Sequence, residues 1–323
     1  MDFRLNELQN MLADSVAKFI GNEYDFDTRQ EYAAAERGFS DEVWSTFAEL
    51  GWTAVPFAEE DGGIGGGPVD IMVFMQSLSR GLVVEPYLAN IILAGGILSR
   101  AGDAAQKERW LGPIIGGELH ATLAFNEPQS RYDIANVATS ARRDGDAWVL
   151  DGVKGVVPNA DTADLIIVLA RSSGDTRDAD GITLFAVPAE HIVCNAYATV
   201  DGLRAAELTL KDVRLGDEHV VGPVDGGHAA LDATIDDAIL AVCSEAVGIM
   251  HILKDKTVEY SKQRQQFGVP IGSFQALQHR MVDMLMTCEK AQSLLMWAVM
   301  TLSLIHISEP TRRRDSSRMP SSA

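Results

Sequence analysis

Residues 264–284 read RQQFGVPIGSFQALQHRMVDM. The stretch lies between two helix-period patterns. Upstream, residues 230–264 (ALDATIDDAILAVCSEAVGIMHILKDKTVEYSKQR) form one long amphipathic run. Downstream, Phe274, Leu277, Met281, Met284, Leu285 and Cys288 fall at three- and four-residue intervals, which predicts one buried stripe. The expectation is a pair of long helices.

The character of the chain changes N-terminal to this pair. From 119 to 222, Asp-Gly pairs at Asp144-Gly145, Asp151-Gly152 and Asp180-Gly181 separate short β-type runs (AWVL, VKGVV, LIIVLA, ITLFAV, ELTL). That is hairpin punctuation in an antiparallel unit, with strands too close together for helical crossovers. Residues 1–118 read as helical. Leu5, Leu8, Met11 and Leu12 share a helical face, as do Val43, Phe47 and Leu50, and Gly102-Asp103 reads as a helix stop followed by a cap. The domains expected are 1–118 helical, 119–222 a β-barrel and 223–301 a partial helical domain, an α+β multidomain chain with a β module inserted between helical parts.

Composition narrows the function. The chain has 323 residues, is 46% hydrophobic and carries a net charge of −19, which argues against nucleic acid or an anionic membrane as a general partner. No apolar run of membrane-spanning length occurs. Cys194, Cys243 and Cys288 are odd in number and far apart, so a reducing cytoplasm and core positions are expected. The His residues show no metal spacing. GGIGGGP (62–68) lacks the Lys-Ser/Thr of a phosphate loop and reads as a flexible turn. His279 reads as a satisfied structural histidine, and Asp236 and Asp237 as residues opening a helix.

The stretch 264–284 resembles the C-terminal-domain signature of the acyl-CoA dehydrogenase family. The pattern R-x-Q-F-G, P-I, F-Q, Q-H, D-M is met at Arg264, Gln266, Phe267, Gly268, Pro270, Ile271, Phe274, Gln275, Gln278, His279, Asp283 and Met284. LGWTAVPFAEEDGG (50–63), EPYLAN (85–90), AQKERWLGPIIGGE (105–118), ATLAFNEP (121–128) and VDGLRAAELTLKDVRL (200–215) also fall in that family's order. The resemblance covers residues 1–301. It implies a helical N-terminal domain, a middle β-barrel and a C-terminal helical bundle, here incomplete. It also implies FAD, an acyl-CoA substrate desaturated at the α,β bond, and oligomeric assembly. In this reading Phe125, Asn126, Val156, Pro158, Arg264, Phe267 and Gln275 contact the flavin, Arg264 reaching the flavin of a neighbouring subunit.

The departures from the family are specific. Its T-E-P-x-A-G-S-D motif reads Asn126-Glu127-Pro128-Gln129-Ser130-Arg131-Tyr132-Asp133, so Arg131 and Tyr132 replace a small pair beside the CoA path. Its W-I-T reads Val156-Val157-Pro158. The catalytic Glu that some relatives carry on the first C-terminal-domain helix aligns with Ala238, with Ile239 where an Arg is common, leaving no catalytic residue assigned. The pattern resembles most the small-subunit type of heteromeric acyl-CoA dehydrogenases, such as those acting on pimeloyl-CoA. The alternative is a non-catalytic assembly subunit with a degenerate flavin pocket.

The last residues, LSLIHISEPTRRRDSSRMPSSA, break the helical pattern. Back-translated, LSLIHISEPTR and SRMPSSA match successive parts of a sequencing adapter. Residues 302–323 are therefore expected to be a non-native read-through tail. The fragment as written is expected to have little activity, with an exposed apolar face from Leu277 through Trp297.

Overall fold

The computed structural model describes residues 5–312. They fall into two compact units, each assembled from separated stretches of chain: 5–22 with 67–82 and 240–312, and 23–66 with 83–239.

The first unit is helical. It holds α1 (Glu7–Glu23) up to residue 22 and α4 (Pro68–Leu78), which follows α2 (Phe26–Ala34) and α3 (Asp41–Glu49) in the chain. α1 buries Gln9, Val16 and Phe19, and of the face shared by Leu5, Leu8, Met11 and Leu12 it leaves Leu8 and Met11 exposed while Leu5 packs against the core. α4 is apolar on most sides and packs Met72 and Val73 against Leu240, Val247, Leu295 and Val299. Gln76 Nε2 donates to Gln292 Oε1 at 2.9 Å in the same contact.

The second unit joins α2 and α3 to a helical run and a sheet. The run comprises a π-wound stretch, Leu88–Gly95, continuing into α5 (Gly96–Ala101), then α6 (Ala104–Gln106), a second π-wound stretch, Lys107–Leu111, and α7 (Gly112–Ile115). The Gly102-Asp103 signal is met: Asp103 accepts from the Gln106 N–H at 2.8 Å and caps α6. α3 buries Val43, Trp44 and Phe47, whereas Leu50, expected on that face, is half exposed past its end. The glycine loop 62–66 is tightly specified rather than flexible, since Gly63, Ile64, Gly65 and Gly66 donate backbone bonds to Ala58, Ala54, Phe57 and Val55.

The sheet contains β1 (Ala121–Ala124), β2 (Ser140–Asp144), β3 (Ala147–Pro158), β4 (Leu165–Arg171), β5 (Ile182–Pro188), β6 (Val193–Ala198), β7 (Arg204–Leu215) and β8 (Val220–Val221). Its order is β6-β7-β3-β2-β4-β5-β8, with β1 beside β4. Most pairs are antiparallel, but β1 and β2 each meet β4 in parallel. Asp144-Gly145 turns β2 into β3 as expected. Asp151-Gly152 does not separate two strands; it lies inside β3, where the register against β7 shifts. The core is continuous across the sheet, from Trp148 and Leu150 on β3 through Phe185 on β5 to Leu208 on β7. β4 and β5 bury six residues in a row, the mark of strands covered on both faces.

α8 (His228–Gln263), a two-rung hairpin of β9 (Gln265–Gln266) and β10 (Val269–Pro270), and α9 (Gln275–Arg312) complete the described chain. Because α8 begins at His228, Asp236 and Asp237 lie two turns inside it rather than at its start. Asp237 pairs with Arg100 of α5. The stripe expected on α9 is buried only at Cys288; Phe274, Leu277 and Leu285 are exposed. The exposed face continues through Val282, Met286 and Leu294 to Trp297, as expected. Of the three cysteines only Cys288 is buried; Cys194 lies on the edge strand β6 and Cys243 on the outside of α8. His279 is exposed. Of residues 302–323, the backbone to Arg312 is described and the remainder of the expected tail lies outside the described residues. Among the described residues no helix is long and apolar enough to cross a membrane.

Candidate functional site

The residues expected to meet a cofactor lie on two stretches, one in each compact unit. In the β-containing unit they converge where the loop after β1 meets a bulge in β3. Gly155 N–H donates to the Asn126 carbonyl at 3.0 Å, and Asn126 Nδ2 donates to the Gly155 carbonyl at 3.3 Å. Ser130 Oγ donates to Asn126 Oδ1 at 3.0 Å. An amide offers two N–H groups and two lone pairs, so Asn126 keeps one of each for a ligand.

The bulge has a definite cause. Between Lys154 and Val157 the strand gains a residue relative to β7, and Val156 takes φ +52°. That conformation is costly for a β-branched side chain. It turns Val156 outward, leaving it 59% exposed while Val157 is buried. Pro158, the next expected contact, ends the strand half-buried and gives its carbonyl to Thr122 Oγ1 at 2.7 Å. Phe125 is half-buried at the end of β1.

Beneath this wall is a feature the sequence reading did not single out. Lys154 and Glu127 are an ion pair at 2.6 Å, with side chains 0% and 2% exposed. The Glu127 carboxylate also accepts from Gln129 Nε2 at 2.6 Å and from the N–H groups of Ala138 and Thr139 at 2.8 and 3.1 Å. Burial pushes its carboxyl up, but the Lys154 ammonium and these hydrogen bonds outweigh that and bring it down to about 2. A signal was available: Lys154 stands in step with Trp148 and Leu150, the inward residues of β3. Arg131 and Tyr132 lie on the loop that Glu127 closes. Both are exposed, Arg131 at φ +51°, so neither fills the space beside Asn126.

The second stretch is the hairpin of the helical unit. The Arg264 N–H donates to Tyr260 O and the Ile271 N–H to Arg264 O, each at 2.8 Å, which folds the chain back on itself. Phe267 and Gly268 make the turn, both at positive φ. Phe267 is 93% exposed and meets Phe274 edge to face, centroids 6.2 Å apart. Gln275, at the start of α9, is exposed. No ion pair among the described residues engages Arg264.

At the position where a proton-abstracting Glu was sought, Ala238 is buried and offers no proton acceptor, and the neighbouring Ile239 is exposed. Among the described residues no group of three or more potential ligands could hold a metal.

Three domain models match in succession: the acyl-CoA dehydrogenase N-terminal domain over residues 6–118, the middle domain over 122–213 and the C-terminal domain over 225–312. The chain is 28% identical over 305 residues to the probable acyl-CoA dehydrogenase YngJ of Bacillus subtilis, covering 92% of this chain and 80% of that protein. It is 32% identical over 257 residues to the mitochondrial short-chain specific acyl-CoA dehydrogenase of Bos taurus, covering 77% of this chain but only 62% of the bovine protein. Among solved structures, butyryl-CoA dehydrogenase from Megasphaera elsdenii superposes with a TM-score of 0.82 at 26% identity, covering 91% of this chain and 79% of that one. With all three models present in the family's own order, the chain belongs to the acyl-CoA dehydrogenase family.

Proposed function

We propose that this chain is an FAD-holding subunit of an acyl-CoA dehydrogenase, an oxidoreductase that desaturates an acyl-CoA thioester between its α and β carbons. We place it with the small-subunit type of heteromeric enzymes, in which a second subunit of the same family completes the site. The observation that carries this reading is the hairpin: an exposed guanidinium, Arg264, with no ion-pair partner among the described residues, beside an exposed aromatic pair, Phe267 and Phe274. That donor set fits a flat ring system linked to a pyrophosphate, since a guanidinium binds phosphate oxygens in a fork and an aromatic face covers a ring.

The wall of the β-containing unit fits the same group. Asn126 has one amide N–H and one lone pair to spare, and Val156 presents an exposed apolar surface beside it. Bound FAD would supply the hydride acceptor for the β-carbon. The chain's own part is to bind and orient: Asn126 and Val156 at the ring of its own flavin, Arg264 at the pyrophosphate of a flavin held by a neighbouring subunit, and Arg131 and Tyr132 toward the nucleotide end of CoA. Ala238 can take no proton from the α-carbon, so the reading assigns proton abstraction to a residue other than this one. The same observation, with Pro158 lacking an N–H, favours a second reading, a fold-retaining assembly subunit without catalysis of its own.

A flavin spectrum separates these. The chain is purified alone and with a second acyl-CoA dehydrogenase-like subunit, and an acyl-CoA is added without oxygen. The supporting-subunit reading expects the visible flavin band to bleach only in the mixture. Bleaching by the chain alone would make it self-sufficient. No retained flavin in either preparation would leave the assembly reading.

A further inference from the structure

A buried ion pair is a poor way to add stability, because desolvating two charges costs about as much as their attraction returns. Lys154 and Glu127 are nonetheless fully enclosed, and their placement explains what they add. Glu127 opens the loop 127–139, and its carboxylate receives the N–H groups of Ala138 and Thr139 at the loop's other end. One carboxylate thereby ties both ends of the loop together. Lys154 fixes that carboxylate to β3, one residue before the Gly155 that bonds Asn126 in both directions. Residues 126–127 and 154–155 therefore form two adjacent rungs. Arg131 and Tyr132 hang on the loop closed by the lower rung, and Asn126 and Val156 stand at the upper one. Arg171 braces the loop's far side through Nη2 to the Ala135 carbonyl at 2.8 Å.

An apolar pair of equal volume would fill the space but could not receive the loop's N–H groups. We propose that Glu127 and Lys154 are positioning residues: they hold the Arg131–Tyr132 loop and the Asn126–Val156 wall in the single geometry that binds ligand. This rests on the flavin reading above only for the ligand's identity.

The test compares the full chain with E127Q/K154M, which removes both charges and keeps the shape, and with K154R, which keeps the charge but moves the donor. Amide exchange is read at Ala138 and Thr139 without ligand, and FAD binding by its fluorescence and visible band. Positioning expects the double variant to melt within a few degrees of the parent. Gln offers one acceptor oxygen where the carboxylate offers two, so at least one of the two amides should exchange at least tenfold faster, and FAD should bind at least tenfold more weakly with a shifted band. If the double variant does not fold, K154R is expected to show the same faster exchange. Parent-like exchange in whichever variant folds would overturn the proposal, as would parent-like flavin binding by that variant. If the parent itself takes no FAD, the flavin reading falls while the exchange comparison still decides the positioning role.

Discussion

The wall around Asn126 is closed by its own residues, and the hairpin around Phe267 is not. Both contain a side chain in the left-handed region, Val156 at φ +52° and Phe267 at φ +52°. Such backbone costs on the order of 1–3 kcal/mol per residue and persists only where the surroundings impose it. At Val156 the surroundings are visible: two bonds between Asn126 and Gly155, and a buried ion pair at Lys154, two residues before it. At Phe267 there are two ladder rungs and a ring contact, with little buried. The exposed ring at this strained turn is the surface we proposed for a cofactor and a second subunit to meet.

The largest effect that sharpens this contrast is in the sheet core. Phe185 is fully buried and packs edge to face on Trp148, centroids 5.5 Å apart. Phe185→Ala should cost about 3–5 kcal/mol in denaturant unfolding. A loss below about 1 kcal/mol would mean that the β-containing unit is loosely packed and the contrast with the hairpin is false.

Next comes an acid-sensitive site in the same unit. His120 is stacked between Phe39 and Trp44, and its Nδ1 is buried without a hydrogen-bond partner among the described residues. Burial first, then the nearby Arg37, lowers its pKa from 6.5 to about 4. The unfolded chain therefore binds a proton that the folded chain refuses between those values. The stability His120 contributes is complete above pH 6.5 and is lost as pH falls toward 4, about 3 kcal/mol in all. His120→Phe should flatten that part of the profile, measured as unfolding free energy from pH 4 to 7.5. Glu127 acts lower: its contribution is present above pH 4.5 and lost as pH falls toward about 2. An unchanged slope between 6.5 and 4 in the His120 variant would assign the loss to other groups.

Much of this was legible in the sequence because local signals agreed with the fold. Asp144-Gly145 made its hairpin, and Gly102-Asp103 stopped one helix and capped the next. The motif around Arg264, with the stretches at 50–63 and 121–128, carried a resemblance to the family that the three domain models bear out. Burial was harder to read. α9 has the period of a helix with one buried face, but a period does not say whether anything lies against that face, and Leu277 and Leu285 are exposed. β3 misleads differently: its alternation would place Lys154 and Val156 on one side, and a one-residue bulge turns Val156 out while Lys154 stays in. A lysine inside a core is improbable from composition alone, and that weighs against the inward place that Lys154 takes in step with Trp148 and Leu150.

The bulge itself yields a smaller prediction. Val156→Gly removes a side chain that is mostly exposed and relieves φ +52°. It should raise stability by about 1 kcal/mol, seen as a higher urea midpoint with an unchanged slope. A lower midpoint would show that Val156 packs more than it strains, and the wall would lose its claim to hold a costly backbone for function.

The smallest expected change decides most about the hairpin. Phe267→Ala deletes a ring that is 93% exposed and whose aromatic contact is with Phe274. In the isolated chain it should alter unfolding free energy by no more than about 0.5 kcal/mol, the range of a surface substitution. The contrast with Phe185 would then be roughly tenfold for the same change of residue. Its effect should appear where the ring is covered, as weaker FAD retention in the presence of the second subunit. A cost above about 1.5 kcal/mol in the chain alone would mean that the ring is already packed against its own protein, and the hairpin would no longer need a counterpart. Negligible change in both stability and flavin retention would leave Arg264 as the hairpin's remaining link to a cofactor, to be tested by Arg264→Ala with the same two readouts.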